Sequence, residues 1–579
     1  MKILCVDCLF AKLLKQRGHE VLELNNVHGI LSLPHFLKSK NFFPDLIIQQ
    51  ENIKIRLILS GLEEVDCLKL FWSIDTHINL HWQIYYFKLF DAVLTPHYSW
   101  LKKLEKINLP LFFRLPLPAP FLSYKAYENR TEELSFVGRF TKFRPLRQRL
   151  KDAYALLGYQ NFIEEISYRD MLKLYSNTKL VPNESLGYEL NLRIFESAGA
   201  GAVVLAQNIG EDQDAVFEPQ KECVIWHDII ELFDLTKYYL KNESLAKKIS
   251  EAGYARVQKE HLIEQRLNTL LYFMKNITQN TRNKVEDRKN LWLSLVQLVR
   301  NNMLDFSYLD LLGAADGLAD DCLMVAFKII LLTENQQYDD ARRLIHSFST
   351  NKELCVNVFS SDYLLLLSSC SASAMFQDDF NLAKYFLLMY YNELVKSNEA
   401  QALILFNQVN CQPISEFELC LSWARLFENK EILSWIGFKF YPYRKNSEEK
   451  NNFEYRAYMP QCSLSWLLTA KTYKQDQNLK KYLEALVEKT NGLSSIYQDE
   501  LSDFIVKSAN SSLQWRFLTE LGVKKLEQCQ FGEGLSDIKT AFQLATEKNI
   551  QANFHELLSR LTSQERKENI LNCMKFYTT

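Results

Sequence analysis

Residues 183–206, Asn-Glu-Ser-Leu-Gly-Tyr-Glu-Leu-Asn-Leu-Arg-Ile-Phe-Glu-Ser-Ala-Gly-Ala-Gly-Ala-Val-Val-Leu-Ala, constrain this chain more than any other stretch. They read as a loop through Gly187, a short helix, a glycine turn and a strand. Leu190 to Ala198 fit one helical run with Leu190, Ile194 and Phe195 on one face, and Gly199 and Gly201 stop it. Ala202 to Ala206 are apolar without alternation, which predicts a strand covered on both faces. Asn191, Arg193 and Glu196 fall in or near the first turns of the helix, where free N–H groups and a partial positive charge suit a phosphate. A guanidinium there adds a fork for phosphate oxygens, and a carboxylate one turn on accepts from sugar hydroxyls. A helix serving only as core has no need of all three.

The chain before and after this stretch has a strand–helix rhythm. Lys2–Val6, Val21–Leu24, Asp45–Ile48, Leu68–Ile74, Asp91–Thr95 and Phe112–Leu115 read as short strands, with a helix over Leu9–Gln16 stopped by Gly18. Pro116, Pro118 and Pro120 mark a rigid connection. The rhythm restarts with strands at Leu134–Val137, Asn161–Ile166, Lys179–Val181, Ala202–Ala206 and Cys223–Trp226. Helices follow at Ile229–Leu240, Glu243–Glu251 and His261–Met274. Alternation of this kind predicts parallel sheets with helices on both faces, and ligands beyond the carboxyl ends of the strands.

Asn-Leu-Arg-Ile-Phe-Glu-Ser-Ala-Gly-Ala-Gly-Ala, residues 191–202, resembles the Asn-x-Arg-x-Phe-Glu-Ala-x-Ala-x-Gly-Ala signature of CgeB-like, group 1 glycosyltransferases. Arg17-Gly18-His19-Glu20-Val21 and the set Gly253, Arg256, His261 and Arg266 are similar to other segments of that family. The resemblance covers roughly residues 1–275 and is closer from 134 onward. It implies the GT-B fold: an acceptor domain over 1–125 and a nucleotide-sugar-binding domain over 126–275, both Rossmann-like. It further implies that Glu196 holds ribose hydroxyls. The loop Gly138-Arg139-Phe140-Thr141-Lys142-Phe143-Arg144 would face the donor diphosphate. Of its cations, Arg139 and Arg144 suit phosphate best, because guanidinium forks match its oxygens. The alternative for this loop is a solvated basic surface. Retaining members carry a second glutamate eight positions before the first; here that position is Tyr188, with Glu189 beside it.

Phe71-Trp72-Ser73-Ile74-Asp75-Thr76-His77 places an acid and an imidazole just past a strand. Asp75 or His77 is a candidate for the base that takes the acceptor proton, and a helix-capping aspartate is the structural alternative for Asp75. His77 and His81 have the spacing of zinc ligands on one helix face, but no third ligand follows. Cys5-Val6-Asp7-Cys8 has a redox spacing and Asp212-Gln213-Asp214 a metal-handle spacing; packing residues and an ordinary loop are the plainer readings.

Residues 276–290 are polar and read as a linker, and 291–579 show helical period with few glycines. Leu521-Gly522, Gly534 and Ala541 fit the small positions of a tetratricopeptide-like pair. Tyr338…Ala341 and Phe380…Ala383 look like second-helix starts of two more; an irregular helical domain is the alternative. Net charge of -2 gives no pull toward nucleic acid. The longest apolar runs, near Cys322–Leu332 and Tyr363–Leu367, are too short to span a bilayer. Twelve scattered cysteines and an interrupted apolar start fit a cytoplasmic protein.

The sequence therefore predicts an α/β half of GT-B type followed by an all-α, helical-repeat-like domain. The expected activity is glycosyl transfer from a nucleotide-diphosphate sugar without a metal, to a protein or glycan acceptor selected by the C-terminal helices. A catalytically silent scaffold and a sugar-nucleotide epimerase on the same fold are the competing expectations.

Overall fold

The computed structural model describes the chain except for residues 53–54, 103–108, 141–144, 186–188, 228, 351–359, 398–405, 408, 411–413, 429–458, 474–513, 528–530, 548–549, 563, 565–566 and 572–579. Arg144, Gly187 and Tyr188 thus lie outside the described residues. The chain forms two compact units. One contains Met1–Thr95, Trp100–Phe113 and Asn276–Leu483, the other Pro96–Ser99, Arg114–Lys275 and Glu484–Thr579.

In the first unit the strands are β1 (Lys2–Val6), β2 (Glu20–Leu24), β3 (Gly29–Ser32), β4 (Leu46–Gln50), β5 (Leu57–Ser60), β6 (Leu68–Trp72), β7 (Ala92–Thr95) and β8 (Leu111–Arg114). Six form a sheet in the order β2-β1-β4-β6-β7-β8, parallel at the registers Ile3↔Leu46, Ile48↔Leu70 and Leu70↔Ala92. The central strands are buried almost residue for residue, as expected of a parallel sheet covered on both faces. β3 and β5 make a separate parallel pair that the sequence reading missed, although Leu57–Leu59 of β5 are apolar and buried.

The helix Thr76–Tyr86 follows β6 and buries every residue but Ile78. Part of its cover is the helix Lys284–Arg300, whose Ser294 hydroxyl donates to the Trp82 carbonyl at 3.3 Å and whose Trp292 and Leu293 are buried. This corrects the linker reading for 284–290, which are helical. The polarity of 276–290 is that of a docked segment: Asp91 accepts from Asn280 N and Arg282 Nη2 at 2.8 Å each, and Arg288 pairs with Glu63 at 3.0 Å. Further along, helices pair as Cys322–Glu334 with Tyr338–Thr350 and Ser361–Phe376 with Phe380–Lys396. Ala341 and Ala383, fully buried, begin the inner faces of the second helices.

The second unit contains β9 (Glu132–Leu134), β10 (Phe136–Val137), β11 (Phe162–Ile163), β12 (Thr178–Asn183), β13 (Val203–Gln207) and β14 (Val224–Trp226). Four form a parallel sheet in the order β14-β13-β12-β9, and β10 pairs with β11 alone. The same unit holds the helix pair Gln514–Glu527 and Phe531–Glu547. A Cβ on Gly522 would stand 2.7 Å from the Gly534 carbonyl oxygen, and one on Gly534 2.8 Å from that of Gly522. The small residues singled out in the sequence are where these two backbones meet.

Candidate functional site

The segment from β12 to β13 builds the site in the second unit. The helix is Leu192–Gly199, with Asn191 extended before it at ψ 163°. Gly201 follows at φ +75°, and a Cβ there would stand 2.5 Å from Arg130 Nη2. Only glycine fits both conditions. Arg130 is itself buried, held by the carbonyls of Thr178 and Ala200 at 2.9 and 3.0 Å, so the turn into β13 is locked from below. The closing segment packs on the opposite side. His261 stacks edge-on against Phe195 and Phe217 and donates through Nε2 to the Val216 carbonyl at 2.8 Å. Burial and the neighbouring Arg266 hold this imidazole neutral, near a pKa of about 3.

Arg193 crosses the strand exits. Its Nε donates to the Val137 carbonyl at 3.1 Å and Nη1 to Asn183 Oδ1 at 3.2 Å, and the guanidinium lies 4.2 Å from the Phe136 ring centroid. Gly138 makes room for it, since a Cβ there would stand 2.5 Å from Nη2. A second guanidinium shares the same ring: that of Arg147 lies 5.6 Å from the Phe136 centroid. Arg147 pairs with buried Glu184 at 2.8 Å and donates to the Arg139 carbonyl at 3.2 Å. Asn191 Nδ2 donates to the Glu184 carbonyl at 2.9 Å, and Gln207 accepts from Ser185 N at 2.9 Å. The Arg139 side chain is exposed at the edge of this cluster.

Glu196 lies one turn beyond Arg193 and is 6% exposed. Burial pushes its carboxyl up to about 7, against the Arg193 charge and the nearby Tyr168 hydroxyl. The structure therefore gathers Gly138, Asn191, Arg193 and Glu196 around the exits of β10 and β12, with Arg139 at the rim. Arg147 is the member that the sequence reading missed. Its signal was available: a second arginine in the first turn of the helix Pro145–Leu156, following a glycine strand exit. Two guanidinium groups held at one ring, with a proton-binding carboxylate one turn away, suit a ligand that brings both an anion and hydroxyls.

Asp75 and His77 belong to the first unit, at the exit of β6. Asp75 is the residue before the helix Thr76–Tyr86, but its side chain makes no capping hydrogen bond. The turn before the helix is instead tied down by Glu51, which sequence reasoning also missed. Its Oε2 accepts from Ile74 N and Asp75 N at 2.8 and 2.9 Å, and its Oε1 from Asn79 Nδ2 at 2.6 Å. His77 is buried in the first turn. Asp212, of the formal metal-handle spacing, accepts from Ser99 N at 3.1 Å and pairs with Arg114 at 3.1 Å. Among the described residues no group of three His, Cys, Asp or Glu side chains is placed to hold a metal ion. No described helix is long and apolar enough to cross a membrane.

Residues 137–272, which contain nearly all of this cluster, match the family model described as glycosyl transferase-like. The chain thus carries a glycosyltransferase-like domain there. Solved structures similar to it include a glycosyltransferase from Rickettsia africae ESF-5, at 16% identity and TM-score 0.36 over 48% of this chain and 99% of that one. Sucrose-phosphate synthase from Thermosynechococcus elongatus aligns at 12% identity and TM-score 0.37, over 48% and 98%. Anabaena HepE, solved with UDP-glucose, aligns at 11% and 0.34, over 48% and 100%. No curated protein matches the chain.

Proposed function

We propose that this chain is a GT-B glycosyltransferase that takes a sugar from a nucleotide-diphosphate donor held by the second unit. The observation that carries the reading is the placement of Glu196, a carboxylate 6% exposed and one turn from the guanidinium of Arg193, where burial pushes its pKa up. Burying an acid with so little compensation destabilises the fold, and a ligand that donates hydroxyls to it recovers that stability. Glu196 takes the ribose hydroxyls. Arg193 and Arg147, with Arg139 and, on the sequence reading, Arg144, supply positive charge to the diphosphate. In transfer the bond from the anomeric carbon to the diphosphate oxygen breaks and one to the acceptor oxygen forms. The acceptor proton passes to a base, for which Asp75 and His77 are the candidates. Charge on the leaving diphosphate is met by the arginines and the helix N-terminus, a role that does not call for a metal.

The acceptor is a protein or glycan recognised through the helical pairs, read here as tetratricopeptide-like, and the protein works in the cytoplasm. Kinship with CgeB-like enzymes rests on residues 191–202. Thermal shift and calorimetry with nucleoside diphosphates and their sugars test the donor assignment. A binding nucleotide should stabilise the wild type, and Glu196→Gln should weaken it by roughly ten- to a hundredfold, the loss of hydrogen bonds to a charged group. Equal affinity in wild type and variant removes Glu196 from the site. Stabilisation by no nucleotide removes the reading.

A further inference from the structure

Residues Pro96–Ser99 follow β7 in the chain but belong to the second unit. Two of them reach the loops beyond the carboxyl ends of β12 and β13. His97, 1% exposed, accepts at Nε2 from the backbone N–H of Leu190 at 3.2 Å. Ser99 donates its backbone N–H and its hydroxyl to Asp212, the buried carboxylate that also pairs with Arg114. Tyr98 stands between these anchors in sequence, its ring centroid 4.9 Å from the Arg114 guanidinium. An imidazole nitrogen accepts only in the tautomer that leaves it bare, so the bond to Leu190 assigns the ring proton to Nδ1. Leu190 is the residue before Asn191, and its side chain packs in the same core as Ile194 and Phe195. The bond from His97 thus holds the backbone where the chain enters the helix that carries Arg193 and Glu196.

We propose that His97 is a positioning residue for the nucleotide site: through Nε2 it fixes the chain at Leu190, and so the direction in which Asn191, Arg193 and Glu196 face the donor. The inference rests on the assignment of the donor to that cluster. The Leu190 amide lies before the helix, so no carbonyl of the helical ladder takes its hydrogen. Leu190 is buried, and a buried N–H without an acceptor is costly enough for the chain to turn and find another. Such a turn would carry the following side chains with it, and groups that bind a ligand lose most of their value when shifted by about 1 Å. A carboxylate in place of the imidazole would bring a charge into a closed space. A histidine that only filled this space could be exchanged for any side chain of its size. One that works through Nε2 can be exchanged only for an acceptor of the same reach.

The test uses the full-length protein, titrated by calorimetry with UDP, GDP, ADP and dTDP. For the diphosphate that binds, His97→Leu removes the acceptor and should weaken binding about three- to tenfold. His97→Gln places an amide oxygen where Nε2 stood and should restore the affinity. Hydrogen exchange at the Leu190 amide, read without ligand, should quicken in the first variant and slow again in the second. Ser99→Ala loosens the same segment at its other anchor and should leave affinity as in wild type. If His97→Leu does not fold, His97→Asn, whose oxygen reaches only the Nδ1 position, replaces it and should show the same loss. Wild-type affinity in the variant without the acceptor overturns the positioning role. So does a glutamine variant that binds as weakly, or an equal loss in Ser99→Ala, which would assign the effect to the segment and not to the bond. A wild type that binds none of the four defeats the donor assignment itself, and the positioning role with it.

Discussion

Glu51 and Glu196 are both buried carboxylates beside the exit of a parallel strand, and they are held in opposite ways. Glu51, in the first unit, accepts from two backbone amides and the Asn79 amide, with Arg56 at 3.5 Å. Glu196, in the second, is offset chiefly by the charge of Arg193 one turn away. Asp91 sides with Glu51, accepting from Lys69 N, Asn280 N and Arg282. The difference separates a carboxylate that organises its own backbone from one that keeps acceptor capacity for something arriving from outside. Burial alone does not distinguish them; the identity of the donors does.

Removing Glu51 should therefore have the largest effect and the least functional one. Glu51→Ala leaves two amides and the Asn79 Nδ2 without their acceptor and removes the counter-charge beside Arg56. It should cost about 3–5 kcal/mol of the first unit's stability, as breaking buried charged pairs does. Hydrogen exchange at the amides of Ile74 and Asp75 reports this locally, while nucleotide affinity should stay as in wild type. If affinity falls with stability, Glu51 serves the ligand as well and the contrast fails.

Glu196→Gln should do the reverse, and pH exposes the sign. The native carboxyl titrates at about 7, against an ordinary value of 4.5. Between those values the native state holds a proton that the unfolded chain has lost, so wild-type stability falls as pH rises from 4.5 to 7. The loss comes to roughly 3 kcal/mol, because a tenfold difference in proton affinity between the two states is worth about 1.4 kcal/mol. In Glu196→Gln this component of the slope should vanish, leaving the variant more stable than wild type at pH 8 yet weaker for nucleotide. Urea unfolding at pH 5, 7 and 8 measures it. A variant no more stable at pH 8 would mean that Glu196 carries no uncompensated burial.

How far such pairs could be read beforehand follows from sequence distance. Arg193 and Glu196 stand three apart inside one helix, so their spacing alone places them together. Arg147 meets Glu184 across 37 residues, and Glu51 meets Ile74 across 23, contacts that depend on which strands become neighbours. The strands themselves were legible where every side chain is apolar, as in Ile3–Val6 and Val203–Ala206. β3 was not, because Gly29–Ser32 alternates in exposure over only four residues. The polar run 276–290 misled for a related reason. Arg282 and Arg288 resemble solvated linker residues until Asp91 and Glu63 are brought opposite them.

Asn191 gives the finest test of the contrast, because its two polar atoms fall on different sides of it. Nδ2 is committed to the Glu184 carbonyl at 2.9 Å, whereas Oδ1, buried, accepts no hydrogen bond from the described residues. An asparagine before a helix ordinarily caps it, and replacing such a cap with alanine costs about 1 kcal/mol. Here the side chain makes no capping bond, so Asn191→Ala forfeits only the bond to Glu184. Stability should fall by about 0.5–1.5 kcal/mol. If Oδ1 is an acceptor kept for the ligand, like Glu196, nucleotide affinity should fall with it by about two- to tenfold, the value of one neutral hydrogen bond. Calorimetry alongside urea unfolding separates the two effects. A stability loss with affinity intact would assign Asn191 to the company of Glu51, as a residue that shapes the β12 exit without touching what binds there.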